Sequence, residues 1–230
     1  MADSTHVATD SAHVAQLGLR HHFADMEQQR ESSTFGMWIF LVTEIMFFGG
    51  LFLAYLVYRS QHAYAFELGS FRHMEFWYGT INTIVLLCSS LMVALAVHAI
   101  QLNNRKLCAI LLIAAAVCGI GFLGIKGVEY HHHWVEGTVP GLHWHPEDPG
   151  PDPQGLQMFF YIYFIMTGLH AIHVTIGIGL LAVIGYLAWT GHYSRDYHSP
   201  VHVTGLYWHF VDVVWIFLYP LLYLISGKGV

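Results

Sequence analysis

Charge is scarce in this chain. Of its 230 residues only 10% are Asp, Glu, Lys or Arg, against roughly 25% in ordinary soluble domains, while 55% are hydrophobic and the mean hydropathy is +0.49. That shortage excludes a soluble globular domain and points to an integral membrane protein. Short alternating segments of about 10 residues, the mark of an outer-membrane barrel, are missing too; the apolar residues gather instead into stretches of about 20, the length of helix that crosses a hydrocarbon core of about 30 Å. The expected fold is therefore an all-α membrane bundle. Cysteine is limited to Cys88, Cys108 and Cys118, each inside an apolar run and none in a CxxC, which argues against a disulfide framework or a zinc site and for small-hydrophobe packing. Residues 1–33 contain His13, Arg20, His21, His22 and Arg30 but no apolar core of the kind a secretory signal needs, so they read as a polar N-terminal tail. No soluble domain and no internal repeat is evident.

What is present is a series of five spans, at about 35–58, 79–100, 107–128, 156–189 and 204–225, which together make a membrane domain over 34–230. The fourth is longer than a bilayer requires, so it tilts or projects into water at one end. Polar joints separate the spans, the longest being an outer loop over 131–153. Basic residues favour the cytoplasmic side. Arg20, Arg30, Arg105, Lys106 and Arg195 fall on one side and Arg59, Arg72, Lys126 and Lys228 on the other, which orients the N-terminus to the cytoplasm and the C-terminus outside.

The outer loop, "HHHWVEGTVPGLHWHPEDPGPDP", concentrates His131, His132, His133, His143 and His145. Imidazoles at this density bind divalent metals adventitiously, but a dedicated site also needs fixed geometry and supporting hydrogen bonds, so these five are weak metal candidates. Pro140, Pro146, Pro149, Pro151 and Pro153 favour an extended surface connection. Its acidic residues either attract a basic partner or are simply solvated.

Within the membrane the ionisable residues are few: Glu44, His98, His170, His173, His209 and Asp212, with Lys126 and Glu129 near the outer end of the third span. A charge at the bilayer centre costs at least about 2.5 kcal/mol on insertion scales, so these groups need protein or water around them. Glu44, His170, His173, His209 and Asp212 thus mark a packed polar seam, a proton pathway or a cofactor. His170 and His173 stand at i and i+3, about 60° apart in direction and about 4.5 Å along the axis. They share a face and cannot clamp both sides of one haem; His209 is the plausible cross-helix partner. Glycines at 49, 50, 119, 121, 124, 168, 177, 179 and 185 let helix backbones approach closely, as packing in lipid requires. Trp77, Tyr78, Trp189, Tyr193 and Tyr207 lie near span ends, where interfacial anchors are found.

Three ordered stretches, "STFGMWIFLVTEIMFFGGLFLAY" (33–55), "TGLHAIHV" (167–174) and "YWHFVDVVWIFLYP" (207–220), resemble subunit III of the haem–copper terminal oxidases, and "NTIVLLCSS" (82–90) and "KGVEY" (126–130) extend the likeness to almost everything after the tail. The family's long form has seven helices. This chain resembles the short bacterial form, in which the catalytic subunit can carry the other two. The resemblance implies an accessory chain in a bacterial inner membrane with no haem, copper or catalytic residue of its own, enzymatic only as part of its complex. Haems and copper would reside in the partners, above all the catalytic subunit I of a proton-pumping oxygen reductase, with other oxidase subunits, bound phospholipid and a respiratory supercomplex as further associates and no nucleic acid. By position Glu44 matches the family's buried carboxylate, His170 and His173 its paired histidines, and His209 and Asp212 the "WHFVD" pair. The implied roles are to steady subunit I, support proton uptake near its cytoplasmic entrance and hold lipid along an oxygen route. The electron donor, a cytochrome c or a quinol, would bind other subunits. A b-type membrane cytochrome and a proton-coupled transporter remain as rival readings of the same residues.

Overall fold

The computed structural model describes residues 25–224, apart from 75, 142, 147–149 and 194–196 and the side chains of 72 and 73. Helix α1 (Met26–Gln61) starts where the Asp25 carboxylate accepts the Gln28 N–H at 2.7 Å. After a break at His62 come a short helix α2 (Ala63–Leu68) and a π-turn over Gly69–His73. Next are α3 (Phe76–Gln101) and α4 (Arg105–Val135), the latter capped by the Asn104 side chain. A small antiparallel hairpin, β1 (Thr138–Val139) and β2 (His143–Trp144), pairs Thr138 with Trp144. The chain then forms α5 (Pro153–Trp189), with Pro153 in its first turn and Asp152 as cap, and α6 (Ser199–Tyr223). Five of these helices are long and apolar enough to cross a membrane, and the chain is a multi-pass membrane protein.

Helices α3, α4 and α5 pack side by side in chain order, while α6 lies against α1, α3 and α5 and carries much of the buried core. Helix α1 leans on α5 and α6 and makes no substantial contact with α3 or α4. One close approach surrounds Trp208 of α6. A Cβ on Gly177 of α5 would lie 2.8 Å from its ring, and one on Gly119 of α4 would meet the same ring at 2.8 Å, so glycine at both positions is what lets the indole sit between two backbones.

Several boundaries differ from the sequence expectation. Of the expected tail, residues 1–24 lie outside the described residues, and 26–33 already belong to α1. The expected outer loop begins five residues later than 131 because α4 continues through the three histidines to Val135. The joint over 59–75 is not merely a connection: Ala65, Phe66 and Leu68 of α2 are buried, and Phe66 packs edge-on to Tyr55 and Phe159. Ser70 donates to the Leu222 carbonyl at 2.9 Å and Tyr55 to the Leu221 carbonyl, closing this end over α6.

Candidate functional site

Glu44 of α1 meets His173 of α5 near the middle of both helices. His173 Nε2 and Glu44 Oε2 are 3.1 Å apart, and the other ring nitrogen, Nδ1, is 2.8 Å from the Leu169 carbonyl oxygen one turn back. A carbonyl only accepts, so Nδ1 carries a hydrogen and a neutral His173 has a bare Nε2 facing the carboxyl. The bond is then made with the proton on Glu44, or else with both partners charged; either way the pair holds one proton between its two facing atoms. Phe48 sets its edge against the imidazole, and Tyr207 donates to the His173 carbonyl at 3.1 Å.

His209 and Asp212 of α6 turn instead toward α3. His209 Nδ1 and Ser90 Oγ are 2.7 Å apart, and the Asp212 carboxyl draws on the same hydroxyl. Asp212 is buried, and its Oδ1 has no hydrogen-bond partner among the described residues.

His170 joins neither group. Its ring is tilted 30° to that of Trp215 at 5.3 Å and meets the edge of Phe122 at 5.6 Å, with both nitrogens buried and unpartnered among the described residues. The five residues expected along one seam therefore occupy three places, at the α1–α5, α3–α6 and α4–α5–α6 contacts.

The most heavily bonded polar group lies elsewhere, at the hairpin end of the bundle. Lys126 Nζ and Glu129 Oε2 of α4 are 3.1 Å apart with side chains only 6% and 3% exposed. Tyr163 of α5 donates to Glu129 at 2.6 Å, Tyr223 of α6 donates to the same oxygen, and Lys126 donates to the Tyr163 and Tyr223 hydroxyls at 3.3 and 2.5 Å. The ammonium also lies 5.1 Å from the ring centroids of Tyr163, Trp215 and Tyr223, a cation–π cage. Tyr130 extends the group to Thr167 at 2.6 Å. Sequence reasoning placed Lys126 and Glu129 at the end of a span but not in the site. The available signal was an opposite-charge pair at i, i+3 inside "KGVEY", next to an apolar run that could not solvate it.

The histidine-rich segment disperses its metal candidates. His131 and His132 are exposed on the last turns of α4, His133 is buried with Nδ1 3.1 Å from Thr138 Oγ1, His143 stacks on Trp134 at 5.2 Å, and His145 sets its edge to His143. Among the described residues no three His, Cys, Asp or Glu side chains gather as a metal site. Beside the hairpin, Asp152 accepts the Gly155 N–H at 2.9 Å and lies 2.6 Å from His62 Nδ1; the backbone bond first, and His62 second, hold its carboxyl below the usual carboxylate range.

At the opposite end, a cavity of about 500 Å³ opens between the start of α1, the end of α3 and the start of α6, lined by Arg30, Glu31, Trp38, Gln101, His198 and His202 among others.

Comparison with known proteins places these features in context. A family model for cytochrome c oxidase subunit III matches residues 14–136 and 156–227, passing over most of the hairpin segment. Cytochrome c oxidase subunit 3 of Thermostichus vulcanus is 34% identical over 194 residues, covering 83% of this chain and 86% of that protein. The corresponding protein of Synechocystis sp. is 35% identical over 192 residues, 83% of this chain and 75% of its own length. A probable quinol oxidase subunit 3 of Staphylococcus haemolyticus is 30% identical over 195 residues, with 83% and 88% covered.

Proposed function

Because the chain belongs to the cytochrome c oxidase subunit III family and is thereby a subunit of a haem–copper oxidase, we propose that it works as a cofactor-free scaffold for the catalytic subunit I in a bacterial inner membrane, N-terminus to the cytoplasm. In this role it steadies the helices of subunit I, supports proton uptake near their cytoplasmic entrance and holds lipid at their flank. The observation that carries the reading is how the membrane-embedded polar groups are used: Glu44 with His173, Ser90 with His209, and Lys126 with Glu129, Tyr163 and Tyr223 each tie one helix to another. Such pairing satisfies groups that would otherwise be costly in lipid, and it stiffens the bundle as a docking body.

The histidines favour this reading over a b-type cytochrome. His173 has both nitrogens engaged within the protein, and His170 has Trp215 and Phe122 where a haem face would have to lie. Lipid is supported by the cavity at the α1 start, whose lining combines Arg30 and two histidines with Trp38, the side chains that suit a headgroup. The electron donor belongs to the partners, and relatives of both the cytochrome c and the quinol type leave it outside this chain's role.

A subunit with no redox centre acts on oxygen reduction only through structure, protons or lipid. A complex stripped of this chain is therefore expected to begin turnover with substantial activity and then to inactivate faster than the intact complex, more so at high pH where protons are scarce. The test is oxygen consumption over many turnovers at two pH values. Zero initial activity with haems retained, or equal lifetimes, would refute the scaffold role.

A further inference from the structure

Helix α6 leaves one stripe uncovered. Val213, Ile216 and Phe217 are exposed, and His209, one turn before Val213, shares their face and is half-buried. On one flank stands α3, joined through Ser90 to His209 and through Thr80 to Tyr219; on the other stands α1, touching through Phe52 to Phe217 and Phe48 to Phe210. Since α1 and α3 do not pack substantially on one another, the stripe is the floor of a groove between them.

That groove contains an unmet hydrogen-bonding need. His209 lies at least about 15 Å from either end of α6 at 1.5 Å per residue, deep in the hydrocarbon and beyond the reach of headgroups. Its Nδ1 is taken by Ser90, whereas Nε2 is not buried and has no partner among the described residues. The hydroxyl of Ser90 has one hydrogen. When it donates to the Asp212 carboxyl it accepts from Nδ1–H, which leaves Nε2 a bare acceptor. Among the described residues no Lys or Arg pairs with Asp212. Hydrocarbon chains offer no donor, and a lipid-filled groove would leave the site unsatisfied.

We infer that the groove between α1 and α3 seats one transmembrane helix of a partner subunit, which presents a side-chain donor, a hydroxyl, amide or ammonium group, to His209 Nε2. This rests on the proposed role as an oxidase subunit and adds which face docks and what chemistry it meets. The outward faces of α4, where Ile120 is exposed, remain for lipid.

The test uses the chain produced together with its oxidase partners, with the photo-crosslinking residue p-benzoylphenylalanine at Val213 or, separately, at Ile120. Illumination of native membranes is expected to join the Val213 probe, and not the Ile120 probe, to a haem-bearing subunit. Independently, His209→Gln, which retains an acceptor, should co-purify with haem as the wild type does, while His209→Leu should lose about three- to tenfold in retention under detergent, the range for a single interhelical hydrogen bond. Lipid adducts alone at Val213, a dimer of this chain, or full retention of His209→Leu in a complex that still carries haem would overturn the groove assignment and leave the subunit role standing. A wild-type chain that brings down no haem-bearing subunit would overturn both.

Discussion

Replacing Glu129 with Gln removes one charge from the most enclosed polar group of the bundle and changes almost nothing else. The glutamine oxygen can still accept from Tyr163 and Tyr223, whose hydroxyls now converge on the carboxylate, so the phenols keep a partner. Lys126 does not. Its side chain is 6% exposed, and among the described residues the only anion against it is the carboxylate at 3.1 Å. Breaking a buried pair from one side typically costs about 3–5 kcal/mol, because an uncompensated charge stays behind. The rings 5.1 Å from the ammonium offset part of that, at up to about 2 kcal/mol for a desolvated cation–π contact. The expected net loss is about 1–3 kcal/mol, or roughly 5- to 150-fold in the folded-to-unfolded ratio. Adding Lys126→Met takes away the stranded charge and should restore more than half of the loss. Unfolding of the purified protein in mixed micelles by increasing anionic detergent, followed by circular dichroism, measures both variants. A cost below about 1 kcal/mol for Glu129→Gln, or a double variant no better than the single one, would refute the argument that this pair is held by mutual need.

The Glu44–His173 contact predicts that Glu44→Gln assembles normally and reduces oxygen at near the wild-type rate, since a glutamine N–H can donate to the bare Nε2; an assembled variant that no longer pumps protons would make Glu44 a carrier instead. At the hairpin end, Asp152 is held below its unfolded pKa, so its contribution is complete above the ordinary carboxylate range and disappears as pH falls through its folded value. Asp152→Asn keeps the cap but removes this acid-side decline, while Asp152→Ala costs about 0.5–2 kcal/mol at neutral pH; thermal midpoints against pH distinguish them, and parallel curves for wild type and Asp152→Asn would contradict the assignment.

The five crossings were legible because length and apolarity are properties of a segment alone. Their ends were less so. His131, His132 and His133 are polar, yet Thr138 and the ring of Phe160 give His133 a buried place, and the helix continues through all three. The joint at 59–75 hid α2 for a related reason: "AYAFEL" is too short to read as an element, and it folds because Phe66 finds Tyr55 and Phe159. Among the site residues, the polar positions could be picked out but not their pairing. His170 and His173 share a helix face in projection, but three residues of rotation suffice to send one to Glu44 and the other to Trp215. Which neighbour each meets depends on the order in which helices surround α6, and that order is written in no local pattern.

The thin support of α1 by the rest of the bundle has a consequence for how the protein is made. Glu44 and His173 are separated by 129 residues, so the first helix to emerge must wait for most of the chain before its partner exists. At about 5–20 residues per second that interval is roughly 6–26 s. During it α3 and α4 can dock on each other, but α1 has no substantial contact with either and lies in lipid with its carboxyl unpaired. A polar side chain without its partner is costly in lipid, so the place of α1 in the bundle is fixed only when His173 arrives to meet Glu44.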